Sequence, residues 1–246
     1  MEIFILAFFA LGYLVLAGAD LGVGMLLPFL GRSPGERREV IAAIAPFFLG
    51  NEVWLVATAG VLAGLFPELE GELLSGNHSV VVALLVAWVV RDMGLWLRGR
   101  VPAAGWQRCC DGAVVAGSWG LALSWGSLLS DMLVGIDGPV SLLAALAVAT
   151  LFAAHGLAFA ALRLRGVLRE RAAVLSGGAG EARTYALTGT ALAVIGVLAG
   201  LQLPLTPGAT GAFLAPVILA LIPLLVASQA WVWWTFRHRV TGPSYL

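Results

Sequence analysis

The sequence predicts an all-α, polytopic transmembrane helix bundle of about seven spans, with its N-terminus outside and its C-terminus inside. Three observations predict it. Of 246 residues, 60% are hydrophobic and 11% are charged. A soluble domain usually keeps its apolar content near half, so too little charge is left here to cover a water-facing surface. The apolar residues fall in long stretches, and arginine occupies every other connection between them.

The spans run over residues 3–30, 46–66, 79–97, 113–134, 139–163, 184–203 and 211–236. At 1.5 Å per helical residue each can cross about 30 Å of hydrocarbon, some with tilt. Helices satisfy every backbone N–H and C=O within the span, and the Ala, Leu and Gly content suits packed helices, not the alternating pattern of barrel strands. The apolar start, Ile3 to Leu30, is too long for a signal h-region and lacks a basic n-region, so no cleavable signal peptide is expected.

The connections set the orientation. Loop one carries Arg32, Arg37 and Arg38; loop three Arg98, Arg100 and Arg108; loop five Arg163, Arg165, Arg169, Arg171 and Arg183; the tail Arg237 and Arg239. Loop two instead carries Glu68, Glu70 and Glu72, loop four has Asp131 and Asp137 at its edges, and loop six, with Pro204 and Pro207, is uncharged. By the positive-inside rule the arginine loops face the cytoplasm. Trp231, Trp233 and Trp234 beside Arg237 form an interfacial belt on that side.

Several classes of function are excluded. The chain has 14 basic and 14 acidic residues, all the former arginine, and no basic face free of acids, so nucleic acid is not an expected partner. The longest loop, 164–183, contains the run Ser176-Gly177-Gly178-Ala179-Gly180 and no domain-sized insertion. There is no phosphate-binding loop and no Ser/His/Asp arrangement, which argues against nucleotide-driven or hydrolytic chemistry. Cys109 and Cys110 are adjacent; a vicinal disulfide is strained, and the pair reads as two thiols at a membrane boundary.

Ionisable groups inside a membrane are costly, so each marks a candidate site. Asp20 lies about ten residues before the inner end of span 1, Glu52 about six into span 2, Arg91 and Asp92 about six before the end of span 3, and Asp111 at the inner start of span 4, all roughly 0–15 Å from the inner boundary. Two readings stand: Arg91 neutralises neighbouring carboxylates and fixes helix packing, or the acids form part of a proton path from the cytoplasm. Asp20 is the deepest and sits among Gly18, Ala19, Gly22 and Gly24, small residues that let helices approach closely. Of the histidines only His155 is near mid-membrane; such a residue is more often hydrogen-bonded to a neighbouring helix than a haem ligand, and no other metal site is expected.

The run Gly18-Ala19-Asp20-Leu21-Gly22-Val23-Gly24-Met25-Leu26-Leu27-Pro28 resembles the first helix of subunit II of cytochrome bd-type quinol oxidases. Glu36-Arg37-Arg38, Gly50-Asn51-Glu52-Val53-Trp54 and Phe66-Pro67 are similar to its second helix and flanks. Arg91-Asp92-Met93-Gly94, then Asp111-Gly112 before Gly117-Ser118, match the third and fourth; His155-Gly156 the fifth; Trp231-Val232-Trp233-Trp234 the last. The chain reads as one transmembrane domain over 1–246, whose residues 1–134 match the family's first four helices and whose residues 139–246 form a second half lacking one helix pair. Two acids usual in the family are absent: Leu49 stands where the second helix has Asp, and Ala17 where an acid precedes Gly18.

The resemblance implies a haem-free structural subunit of a respiratory quinol:oxygen oxidoreductase in a bacterial inner membrane. A partner subunit I would hold haem b and haem d (or a further haem b), quinol would be the substrate of the complex, and small accessory subunits could accompany it. This chain would support that partner and contribute to proton or oxygen access. The competing expectation is a small transporter or stand-alone membrane protein derived from this subunit.

Overall fold

The chain is described by a computed structural model covering residues 1–135, 139–177, 181–240 and 242. Asp137 of loop four and Gly178-Ala179-Gly180 of loop five lie outside the described residues. Within them the secondary structure is entirely helical. Seven helices are long and apolar enough to cross a membrane: α1 (Glu2–Met25), α4 (Phe48–Leu65), α6 (His78–Leu97), α7 (Ala104–Val134), α8 (Pro139–Arg163), α10 (Glu181–Gly200) and α11 (Gly211–Thr235). Between them lie four short helices: α2 (Leu27–Leu30), α3 (Pro34–Ile44), α5 (Pro67–Gly76) and α9 (Gly166–Leu175).

Local chemistry sets the ends. The first span does not run unbroken to residue 30: α1 stops at Met25 and restarts as α2, because Pro28 lacks the N–H and crowds the preceding turn. Asp20 therefore lies little more than one turn from its helix end. Loop one is helical. Ser33 caps α3, its Oγ accepting from the Glu36 N–H at 3.2 Å while the Glu36 carboxylate accepts from the Ser33 N–H at 3.3 Å. Pro34 starts that helix where its missing N–H costs nothing. The fourth span starts at Ala104, not at 113, so Trp106, Gln107, Arg108 and both cysteines belong to a helix that reaches past the apolar stretch.

At the centre, α1 packs against α8, α4, α7 and α10, and α7 packs against α6 and α8. Helices α1 and α8 approach backbone to backbone. A Cβ on Gly22 would overlap the Phe152 carbonyl, and one on Gly156 would overlap the backbone of Gly22 and Val23. Only glycine permits this contact, which is how small residues hold helices together where lipid offers no hydrophobic driving force. Of the seven spans, α10 and α11 are the least buried.

The two ends of the bundle differ in charge. At one, Arg98 donates to the Pro34 carbonyl (3.2 Å), Arg37 to Asp111 (3.2 Å), Arg171 to Glu36 (3.1 Å) and to the Leu30 carbonyl, and Arg239 to the Leu164 carbonyl (2.7 Å). Loops one, three, five and the tail are thereby tied together. At the other end, Thr210 donates to the Gly64 carbonyl (2.6 Å), the Gly208 N–H to the Leu65 carbonyl (2.8 Å), and Asn77 to Asp131 (3.3 Å). The alternation of arginine along the sequence thus becomes a segregation in space. The tryptophan belt is divided: Trp231 and Trp234 are exposed, but Trp233 turns inward, 5.0 Å from the Phe47 ring and 5.9 Å from Phe159.

Candidate functional site

Three helices contribute one polar cluster in the arginine-rich half of the bundle. Arg91 on α6 is 2% exposed and faces three carboxylates: Asp92 at 3.1 Å, Glu52 of α4 at 3.2 Å and Asp20 of α1 at 3.6 Å. The first two are hydrogen bonds. The third is an ion pair beyond hydrogen-bond length, and Asp20 Oδ1 and Arg91 Nη2 have no hydrogen-bond partner. The guanidinium also lies over the Phe48 ring, 5.7 Å from its centroid. Placement along the helices brings them together: Asp20, Glu52 and Arg91 all lie toward the arginine-rich end of the bundle, and α4 lies on α1.

Asp20 is 2% exposed, and its second oxygen accepts from Asn51 Nδ2 at 3.2 Å. The same amide donates to the Leu16 carbonyl (3.0 Å), and its Oδ1 accepts from Gln229 Nε2 of α11 (3.0 Å). Gln229 Oε1 in turn accepts from Trp54 Nε1 (3.3 Å) and lies 3.4 Å from where a Cβ on Gly50 would stand. Gly50, Asn51 and Trp54 therefore act together, clasping α11 to α4 and α1. Gln229 escaped the sequence reading. A lone amide in the apolar run of the last span was the signal, and amides in hydrocarbon seek partners on other helices.

Glu52 and Asp92 form the rim. Their side chains are 14% and 20% exposed, against 3% for Asp20. Around them the surface is apolar, with Leu49, Val53 and Val56 on α4 and Val89, Val90 and Met93 on α6 all exposed. The cluster thus extends from a buried carboxylate to a partly open edge. Leu49 stands on this outer face one turn before Glu52. Ala17 is buried in one cluster with Phe9, Tyr13 and Trp54. Gly24, another motif position, is forced by Ser118, onto which its Cβ would fall.

Asp111 is not in this cluster. It pairs with Arg98 (2.5 Å) and Arg37 (3.2 Å). The early start of α7 puts it in the second turn, where the 3₁₀ turn Arg98–Arg100 folds back upon it. That site joins loop one to loop three. His155 is fully buried. Its Nε2 donates to the Val15 carbonyl (3.0 Å), its Nδ1 meets Thr188 Oγ1 (2.8 Å), and its ring stacks on Tyr185 at 4.4 Å. With both nitrogens engaged, the ring presents no lone pair to an iron, so these residues do not fit haem ligation by His155. Among the described residues no group of three or more His, Cys, Asp or Glu could hold a metal ion.

The family model for cytochrome bd terminal oxidase subunit II matches residues 1–238. The chain belongs to this family. Its matches include subunit 2 of the cytochrome bd ubiquinol oxidase of Bacillus subtilis, 34% identical over 176 residues, 65% of this chain and 52% of that protein. The cytochrome bd-I ubiquinol oxidase subunit 2 of Escherichia coli K12 is 33% identical over 126 residues, 51% of this chain and 33% of that one. A probable cytochrome oxidase subunit 2 of Haemophilus influenzae is 28% identical over 185 residues, 68% of this chain and 49% of that one. The matched part spans about half the length of these curated relatives or less. In this family member Gly22 carries the α1–α8 contact, Gly24 faces Ser118 of α7, and Gly50, Asn51 and Trp54 carry the α1–α4–α11 clasp.

Proposed function

We propose that this chain is the haem-free subunit II of a cytochrome bd-type quinol:oxygen oxidoreductase in a bacterial inner membrane, with its arginine-rich end in the cytoplasm. The observation that carries the reading is the intramembrane cluster of Asp20, Glu52, Asp92 and Arg91 within a chain that matches the subunit II family over residues 1–238. The haems would lie in the partner subunit I, where they supply the electron transfer from quinol to oxygen. This chain's own residues do two things. The α1, α7 and α8 core and the Gln229 clasp hold the bundle together, and the three carboxylates around one guanidinium reach from buried Asp20 to the partly exposed Glu52 and Asp92, a course a proton entering at the rim would follow. The apolar border of α4 and α6 around Glu52 and Asp92 suits a neighbouring membrane subunit, so the rim would open toward the partner. The low burial of α10 and α11 supports a family fold shortened by one helix pair.

The test is purification of the tagged full chain from its native membrane. Co-elution of a haem-bearing subunit, with quinol-dependent oxygen uptake, supports the assignment. A colourless homo-oligomer with no oxidase activity rejects it in favour of a transporter or stand-alone membrane protein.

A further inference from the structure

Arg163 closes α8 at the arginine-rich end and differs from the exposed unpaired arginines there in being buried, and from the paired ones in having no carboxylate. Arg37 and Arg98 share Asp111, Arg171 has Glu36, and Arg169 and Arg239 share Glu181. Arg163 is 6% exposed, its Nε has no hydrogen-bond partner, and no carboxylate among the described residues forms an ion pair with it. It lies over the Phe47 ring at 5.0 Å. The nearest charged neighbour is a second cation, Arg239, whose Nη atoms are committed to the carbonyls of Ala161 and Leu164 and to Glu181. A buried guanidinium without an anion is costly, and a like charge beside it raises that cost.

A cavity of about 360 Å³ opens against these groups. Arg163, Arg239, His238 and Thr235 are its polar lining residues, and Ala45 and Phe236 are among its apolar ones. It lies where α8 and α11 end, and the exposed Trp231 and Trp234 stand in the last two turns of α11.

We propose that this cavity binds the phosphate group of an anionic phospholipid, with Arg163 as its charge partner. Three features select the ligand. Arg163 lines the cavity with a guanidinium that no carboxylate among the described residues pairs, and a guanidinium pairs with phosphate through parallel N–H bonds. The position is the interfacial depth at which headgroups lie, marked by the tryptophans. The apolar wall gives glycerol and the first acyl carbons a surface, which a free phosphate ion would not use. Basic pockets between transmembrane helices bind acidic headgroups on the same grounds.

The test uses the full chain with whatever subunit co-purifies, reconstituted in phosphatidylcholine nanodiscs with or without phosphatidylglycerol. Retained lipid is read by native mass spectrometry, and the unfolding temperature is measured in parallel. The expected result is that the wild type retains a phosphatidylglycerol molecule and melts higher with it, whereas Arg163→Gln binds it about fivefold more weakly. Thr235→Trp fills the cavity from an exposed position without removing a charge, and should also release the lipid; it serves if Arg163→Gln folds poorly. Equal retention of phosphatidylcholine and phosphatidylglycerol, or undiminished retention by both variants, overturns the proposal. So does inorganic phosphate alone reproducing the full rise in melting temperature, which would make the site one for the free ion.

Discussion

Gly156 of α8 rests on the backbone of Gly22 of α1, so closely that a methyl group on either would overlap the other helix. This contact joins the motif helix that carries Asp20 to the helix that carries His155. Gly156→Ala should destabilise the chain by about 1–3 kcal/mol through overpacking. Gly60→Ala, where no atom lies within 4 Å of the added carbon, should be neutral in this respect. Thermal melts of both variants in the same detergent check the difference; equal melting temperatures would remove the contact from the account.

Asp20→Asn keeps the shape of the side chain and the Asn51 neighbour but removes the transferable proton. In the assembled complex it should slow oxygen reduction by at least about a hundredfold if Asp20 relays protons directly, with haem content unchanged. Oxygen uptake and a haem spectrum on the same preparation decide. Full activity would make Asp20 structural, and lost haem would make it an assembly residue.

Asn51 and Gln229 share a hydrogen bond of 3.0 Å between α4 and α11. Replacing either by Ala should cost about 1 kcal/mol, and the double replacement should cost less than the sum, because the second change removes a bond already broken. A double-mutant cycle by reversible unfolding in mixed micelles measures this. Additive losses would show that the two side chains are independent.

Glu36 lies outside the spans and accepts from Arg171, then from the backbone N–H groups of Arg32 and Ser33, which together lower its pKa from 4.5 to about 2. A depressed carboxylate stabilises the folded state above its unfolded pKa, and that stabilisation fades as pH falls through the folded value. Resistance of loop one to protease should therefore be complete above pH 4.5 and weaken between 4.5 and about 2. Glu36→Gln should lack this acid dependence.

Orientation is testable with single cysteines. In a Cys109→Ser, Cys110→Ala background, needed because Cys109 is exposed, Arg100→Cys should react only with reagent applied from the cytoplasm and Glu68→Cys only from outside. The reverse pattern would invert the bundle.

The sequence by itself determined the number of spans, the separation of arginine from acid along the chain, and that Asp20, Glu52 and Arg91 lie in the same half of the bundle. Hydropathy, arginine placement and helical rise are local quantities, and they place a residue along the membrane normal. Tertiary structure decided which residues meet sideways. That Asp111 leaves the Arg91 cluster for Arg98, that Gln229 completes the Asn51 network, that Trp233 turns inward and that Arg163 lacks a carboxylate all depend on the rotation of each helix about its axis. Rotation is set by contacts such as Gly22 on Gly156, between residues more than a hundred positions apart, which no local pattern encodes.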